Sequence, residues 1–254
     1  MALPLAYLIV RALGASSEAW ELLFRVRTAQ ILGRSALLVV TVTVACLAIA
    51  TPLAWLTTRT DIPFRRTLSV LTALPLVVPS YVGAFLAISA LGPKGLLQQM
   101  LSPIGVESLP EIYGLPGAAI TLTLLSYPYT LLTVRAAFRN LDPSLDESAR
   151  LLGHGSWSAF FRMTVPQLKP AMAAGSLLVA LYTLSDFGAV SLLRYETFTW
   201  AIFVQYESAL DRTLGAGLSL SLVALALVVV GVELVSVLRL VVFGLGPLCR
   251  DRVR

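Results

Sequence analysis

Apolar runs of membrane-spanning length recur along the chain and are separated by short charged segments. The run at residues 35–56 has 22 positions without a charge. A helix of that length is about 33 Å long at roughly 1.5 Å per residue, which is enough to cross the hydrocarbon core of a bilayer. The pattern predicts membrane-spanning helices at residues 35–56, 67–91, 114–138, 171–193 and 213–238.

A shorter apolar stretch near the start predicts a further span at residues 3–14. This stretch contains Arg11, and a secretory signal peptide is the competing interpretation. We expect a span, because no basic region precedes the apolar residues as it does in a signal peptide. The sequence therefore predicts an all-α polytopic membrane protein with about six spans in one domain, residues 1–254.

Composition and charge placement agree with this prediction. Hydrophobic residues make up 57% of the chain and charged residues 13%, whereas soluble domains are about 25% charged. If the chain starts inside, the predicted inner loops and tail, with the flanking Arg135, carry 12 of the 19 basic residues. The outer loops then carry six. This bias predicts that both termini are cytoplasmic, and it accounts for the net charge of +5 without a nucleic-acid partner.

The segment between the fourth and fifth predicted spans, residues 139–170, is polar and amphipathic, and this orientation makes it cytoplasmic. The Asp-Pro pair at residues 142–143 predicts a helix start, because aspartate favours the N-cap and proline the first helical position. Gly153 ends this helix. Ser156 caps a second helix, which Pro166 ends. The segment is therefore predicted to form two short helices joined by a glycine elbow.

The second of these helices has an aromatic face. Trp157, Phe160, Phe161 and Thr164 recur at the spacing that places side chains on one side of a helix. Such a face packs on the protein's own helices, lies among lipid headgroups, or docks on a soluble protein, and the pattern alone leaves these alternatives open. Glu147 in the first helix is likewise either a solvated first-turn acid or one half of an ion pair with a docked protein.

The same segment resembles the signature loop of the permease subunits of binding-protein-dependent ABC importers. Glu147, Ser148 and Ala149 match the Glu-Ala-Ala of that loop with one alanine replaced by serine. Gly153 stands six residues after the glutamate, and residues 163–166 match the Ile-x-Leu-Pro ending. The resemblance implies that the two short helices are coupling helices, which insert into a groove on a cytoplasmic ATP-binding subunit.

This resemblance also implies the other partners and the functional residues. ATP would be hydrolysed on the partner subunit, so the chain would be neither an enzyme nor the holder of a cofactor. A periplasmic binding protein would deliver the substrate, and a second permease half would complete the pathway across the bacterial inner membrane. The coupling role falls to Glu147, Ser148, Ala149, Gly153, Trp157, Phe160, Phe161 and Pro166.

Three further stretches resemble the permeases of iron(III) importers, which implies that iron(III) is the substrate. They are LPLVVPSYVGAF at 74–85, SYPYTLLTVRAAF at 126–138 and LYTLSDFGAVSLLRYETFTWAIFVQY at 181–206. Permeases of that subgroup are described as two fused halves with two coupling loops, whereas this sequence has one loop and no internal repeat. We therefore expect either a half that pairs with itself or a sister subunit, or part of a fused permease.

Polar residues inside the predicted spans are candidates for the translocation pathway. Pro75 and Pro79 remove backbone donors from the third span and Pro128 from the fourth, and each should kink or break its helix. Broken helices in transporters line cavities. Tyr81 and Tyr127 lie beside these prolines, so they are candidate pathway residues, with an interfacial aromatic belt as the alternative.

Asp186 is the acid of the fifth predicted span. A charged carboxylate at mid-bilayer costs about 2.5–3.5 kcal/mol on insertion scales, so Asp186 should face a cavity or a polar partner. It is either a pathway group that tolerates a positive substrate or a hydrogen-bonded acid near the outer end of the span. No metal site is predicted, because His154 is the single histidine and the two cysteines are far apart. Half of an ion-coupled secondary transporter, with Asp186 as its polar site, is the alternative function.

Overall fold

The computed structural model describes residues 26–93, 95–102, 110–141, 164–207 and 212–250, together with Tyr7, Val10 and Phe160. These residues are mostly helical and include no strand, which confirms the predicted all-α class. In chain order, the helices within them are α1 (Val26–Arg59), α2 (Arg65–Leu71), α3 (Ser80–Leu91), α4 (Leu96–Leu101), α5 (Leu115–Asn140), α6 (Val165–Ser185), α7 (Gly188–Leu192), α8 (Phe198–Glu207) and α9 (Arg212–Arg250). A 3-10 turn, Leu74–Val77, lies between α2 and α3.

Five helical segments of the described chain are long and apolar enough to cross a membrane. They are Val26–Arg59, Ser80–Leu101, Leu115–Asn140, Val165–Ser185 and Gly215–Val237. Each overlaps one of the five longer predicted spans. In the short predicted span at 3–14, Tyr7 and Val10 are helical, and its other residues lie outside the described part of the chain.

The core of the bundle forms where α1 packs along α5. The buried positions of α1 recur every three or four residues, which places them on one face: Ile31, Ser35, Leu38, Val42, Cys46, Ala50, Ala54 and Thr57. Small side chains at Cys46, Ala50 and Ala54 allow the two helices to approach closely, as small residues do in membrane-embedded bundles. Helix α5 is buried on most sides, because α6 and α3 also pack against it.

The prolines of the third and fourth predicted spans have different effects. Around Pro75 and Pro79 the chain leaves the α-helix, and the 3-10 turn and an extended Pro79 (ψ 141°) separate α2 from α3. The third span is therefore broken, as predicted. Pro128, in contrast, lies inside α5, which runs without interruption to Asn140. A break at Pro128 is thus wrong, and the reason is that neighbouring helices bury Pro128 and support the helix around it.

The fifth predicted span, 171–193, contains a helix end. Helix α6 begins earlier, at Val165, and ends at Ser185. Asp186 has an extended backbone (φ −69°, ψ 131°), and the short α7 follows it. Pro166 lies in the first turn of α6, where a missing N–H removes no helical hydrogen bond. The end of the predicted coupling helix before it lies outside the described residues and stays a prediction.

Candidate functional site

The two interrupted parts of the bundle contact each other. Gly188, the first residue of α7, lies against the first turn of α3, so that a Cβ at this position would be 2.8 Å from Ser80 Oγ and 3.0 Å from Tyr81 N. A glycine is required for so close an approach of backbone to backbone. We call residues 79–81 and 182–189 the break region, because the break of the third span and the break after α6 meet there.

Asp186 caps α7 within the break region. Its Oδ1 accepts a hydrogen bond of 2.9 Å from Ala189 N, and its carbonyl oxygen accepts one of 2.7 Å from Thr199 Oγ1. Asp186 is 7% exposed and is the one acid among the buried side chains of the described residues. A carboxylate at a helix N-terminus is stabilised by the backbone donors and by the helix dipole. Of the two alternatives for Asp186, this geometry matches the hydrogen-bonded acid.

One tyrosine side chain, Tyr182, lies near Asp186. Tyr182 lies in the last turn of α6, four residues before Asp186, and its hydroxyl lies near Ser80 of α3. The Tyr182 ring lies 5.5 Å, centroid to centroid, from the ring of Tyr129 on α5. The break region therefore joins α3, α5 and α6 through phenol groups. The sequence prediction missed Tyr182, although its position four residues before Asp186 within the predicted span 171–193 is the spacing of neighbours on one side of a helix.

The predicted pathway residues are brought together only in part. Tyr81 begins α3 in the break region and is 58% exposed. Tyr127 is buried in α5. Because Tyr127 stands two residues from Tyr129, the two side chains leave the helix in different directions. The structure thus places Tyr81 and Asp186 in the break region and does not bring Tyr127 to the same face of α5 as Tyr129.

At the other end of the bundle, arginine side chains bind helix C-termini. Arg59, the last residue of α1, donates from Nη2 to the carbonyl oxygens of Leu141 (3.1 Å) and Phe138 (3.4 Å). These carbonyls belong to the end of α5, where backbone acceptors have no partner within the helix. We call this end of the bundle, where α1 and α5 end and α6 begins, the loop end, because residues 142–163 connect its helices.

Arg135 of α5 also lies near the loop end. It is 6% exposed, and it donates from Nη1 to Ser69 O (3.2 Å) and from Nη2 to Thr72 Oγ1 (3.2 Å). Ser69 belongs to the last turn of α2, whose carbonyl oxygens carry partial negative charge. Arg135 therefore ties the fourth span to the helix that precedes the break in the third.

The predicted aromatic face has one described ring, Phe160, and it contacts the protein's own α1. The ring centroids of Trp55 and Phe160 are 6.2 Å apart with the planes inclined by 71°, an edge-to-face pair. Phe160 is partly buried against the bundle core. The other coupling residues lie outside the described residues, and their predicted role stays a prediction: Glu147, Ser148, Ala149, Gly153, Trp157 and Phe161.

Polar contacts at the opposite end join α1 to the segment between α7 and α8. Arg34 Nη1 lies 2.6 Å from Glu196 Oε2, and Tyr195 donates its O–H to Arg34 O at 3.0 Å. Burial raises the pKa of the Tyr195 phenol above its usual range, an effect that the positive Arg34 partly offsets. These contacts hold the third turn of α1 against the segment between α7 and α8.

The sequence that forms the break region and the loop end matches the profile of a known transporter family. The profile of the binding-protein-dependent transport system inner membrane component matches residues 50–245. The chain belongs to this family. The match runs from α1 into α9, so it includes both regions. Family membership makes the chain a multi-pass inner-membrane transport component, which confirms the resemblance found in the sequence.

Relatives within the family are named for the transport of different inorganic ions. The chain is 35% identical over 231 residues to an Fe(3+)-transport system permease protein of Haemophilus influenzae, covering 91% of this chain and 42% of that protein. It is 30% identical over 207 residues to a probable molybdenum ABC transporter permease protein of Haloferax volcanii, covering 81% and 71%. The chain therefore spans less than half of the iron(III) relative. These relatives are named as transport permeases and not as enzymes.

Solved structures share the fold at low sequence identity. A chain from a bacterial ABC transporter involved in the import of the acidic polysaccharide alginate superposes with a TM-score of 0.71 at 16% identity, covering 94% of this chain and 90% of that one. A chain from inward-facing structures of the MetNI methionine ABC transporter gives 0.65 at 14% identity, covering 89% and 99%. These superpositions show that the chain has the fold of ABC importer transmembrane domains.

Proposed function

We propose that the chain is the permease subunit of an ABC importer. It forms the pathway across the bacterial inner membrane for an inorganic ion, delivered by a periplasmic binding protein and driven by ATP hydrolysis on a cytoplasmic subunit. A second permease half completes the pathway. The observation that carries this proposal is the family match over residues 50–245. One structural neighbour, the alginate transporter, was crystallised with a ligand-bound periplasmic protein, which supports the periplasmic partner by analogy.

The arrangement of the helices supports this mechanism. Residues 139–170, the proposed coupling loop, connect α5 to α6 at the loop end. Helix α6 has 21 residues, so it is about 32 Å long at roughly 1.5 Å per residue. It therefore reaches from the loop end to Asp186 in the break region. A displacement of the loop by the ATP-binding subunit would move α6 and change the contact between Gly188 and α3, which would open or close the pathway.

Iron(III) is the proposed substrate. The iron(III) relative matches 91% of this chain, a larger share than the molybdenum relative matches. The break region contains one acid, Asp186, and no lysine or arginine. Its other polar groups include the phenols of Tyr81 and Tyr182, which are hard oxygen donors. Oxygen-rich surroundings without a positive side chain favour a cation over an anion in passage.

An oxyanion such as molybdate is the second candidate substrate. The observation in its favour is that the chain covers 71% of the molybdenum relative but 42% of the iron(III) relative. An importer for molybdate would have the same fold and partners. The two candidates differ in the charge of the ion that crosses the break region.

Uptake by a strain that lacks the gene tests the proposal. We expect the deletion to abolish accumulation of radiolabelled iron(III), and the wild-type chain to restore it, with labelled molybdate and sulfate measured in parallel. Selective loss of molybdate uptake would move the assignment to the oxyanion. Uptake that a protonophore abolishes, but ATP depletion does not, would refute the ABC proposal in favour of the ion-coupled secondary transporter. Purification in mild detergent should recover an ATP-binding subunit with the tagged chain.

A further inference from the structure

The last turn of α1 contacts the proposed coupling loop near both of its ends. Near the end that follows α5, Arg59 donates to the carbonyl oxygen of Leu141 at 3.1 Å. On the side that leaves the loop, Trp55 contacts Phe160 through an edge-to-face ring pair at 6.2 Å. Trp55 and Arg59 are four residues apart, so they lie on one face of α1. A single turn of one helix therefore clasps the two ends of the loop.

The contacts of Trp55 and Arg59 reach residues outside α1, whereas the threonine hydrogen bonds of the same turn do not. Arg59 makes charge-assisted hydrogen bonds to acceptors at a helix C-terminus, which are stronger than bonds between neutral groups. The Thr57 and Thr60 hydroxyls, in contrast, bond to carbonyls of α1 itself. Within the described residues of this turn, Trp55 and Arg59 thus provide the contacts that leave α1 and reach the loop ends.

The clasp is continuous with the core of the bundle. Ala50 and Ala54, which precede Trp55 in α1, are fully buried in the core cluster that α1 shares with α5 and α6. Leu53 and Leu141 pack against the same cluster. Packed interiors of this kind are resistant to compression, so a movement of the last turn of α1 is passed along the helix.

We propose that Trp55 and Arg59 are positioning residues that carry movement of the coupling loop into α1. This inference rests on the proposed function. The clasp would make α1 and α5 follow the loop together, so that ATP hydrolysis on the partner subunit changes the packing of the whole bundle. Without the clasp, the loop could move α6 while α1 stays in place, and ATP hydrolysis would continue with less transport.

The test uses the complex of this chain with its ATP-binding and binding-protein partners in proteoliposomes, with ATP hydrolysis and ion uptake measured together. Arg59→Gln and Trp55→Ala should each lower the number of ions imported per ATP by about tenfold, the effect of losing one charge-assisted hydrogen bond or one ring contact. Arg59→Lys should restore most of the ratio, because lysine can still donate to Leu141 O. Arg66→Gln is the matched control, since Arg66 is exposed and makes no hydrogen bond within the described chain.

A cross-linking experiment distinguishes loss of the contact between positions 55 and 160 from failure of the variant complex to assemble. In the double variant Trp55→Cys with Phe160→Cys, we expect a low ratio in the reduced state and recovery when a short thiol-specific cross-linker joins the two positions. Assembled variants with the wild-type ratio, or cross-linked protein that does not recover, would overturn the inference and leave the proposed function standing. A wild-type complex that hydrolyses no ATP and imports no ion would instead refute the proposed function itself.

Discussion

Gly175 lies where α6 crosses α5, and it offers a direct test of how closely these helices pack. The residue is buried, and a Cβ at this position would be 2.5 Å from Thr133 Oγ1 and 2.7 Å from Thr130 Cα. Non-bonded carbon atoms are stable at about 3.5–4.0 Å. Thr130 Cα is backbone and cannot rotate away, so Gly175→Ala should push the two helices apart by about 1 Å, the shortfall from that distance.

The size of the effect follows from two opposing terms. Overpacking of a well-packed core costs about 1–3 kcal/mol, and a clash with backbone belongs in the upper part of that range. Alanine regains about 1 kcal/mol over glycine through its helix propensity. We therefore expect Gly175→Ala to lower the free energy of unfolding by about 2 kcal/mol, which corresponds to a fall in Tm of about 4–8 °C for a chain of this size.

The control is the same substitution at Gly231 in α9, where a new Cβ meets nothing within 4 Å. Gly231→Ala should leave Tm unchanged or raise it slightly, because the propensity gain has no clash to oppose it. Thermal unfolding of both variants in one detergent, followed by the loss of monodisperse protein on size-exclusion chromatography, makes the comparison. Equal Tm values for the two variants would refute the close approach of α5 and α6 at Gly175.

Substitutions at three further residues test single contacts. Asp186→Ala should lower stability by about 0.5–2 kcal/mol through loss of the cap on Ala189 N, and Asp186→Asn should lower it less, since an amide oxygen still accepts; thermal unfolding measures both. Arg135→Gln should cost about 1.5–3 kcal/mol through loss of its charge-assisted bonds, and limited proteolysis between α2 and α3 should quicken. Because burial raises the pKa of Tyr195, the stabilisation from its neutral phenol is full below the ordinary tyrosine pKa and is lost as pH rises through the raised value. Tyr195→Phe should therefore reduce the dependence of Tm on alkaline pH, and an unchanged dependence would contradict this assignment.

The long helices were predictable because their signal is local. A helix in a bilayer must satisfy its own backbone and bury apolar side chains along its length, so uncharged runs of about 20 residues identify it from sequence alone. The behaviour of the prolines was not predictable in the same way. Pro79 and Pro128 are the same residue type in similar apolar runs, yet a helix begins only after the first, whereas α5 continues through the second. The difference is the burial of Pro128 by neighbouring helices, which only the tertiary structure provides.

The hydrogen-bond partners of the arginines could not be predicted from the local sequence either. Arg59 and Arg135 contribute to the bias of basic residues that predicts the orientation of the chain. Their hydrogen-bond partners lie 63 to 82 residues away in sequence, so no spacing rule connects them. Asp186 is an intermediate case, because its cost in a membrane predicted a polar partner. That its partner is a backbone N–H of the next helix followed only from the end of α6 at Ser185.

The distribution of intact and interrupted helices has a mechanical consequence for an importer. Helices α1, α5 and α6 run without interruption although each contains a proline, and their packing in the bundle makes each of them a stiff element about 30 Å or more in length. The third span and the segment after α6 are interrupted, and they meet at Gly188, where they contact without a shared helix. Movement that enters at the loop end would thus reach the break region with little loss and be taken up there. The uninterrupted helices would carry force from the loop end, and the interrupted segments lie in the break region, where a pathway would have to open.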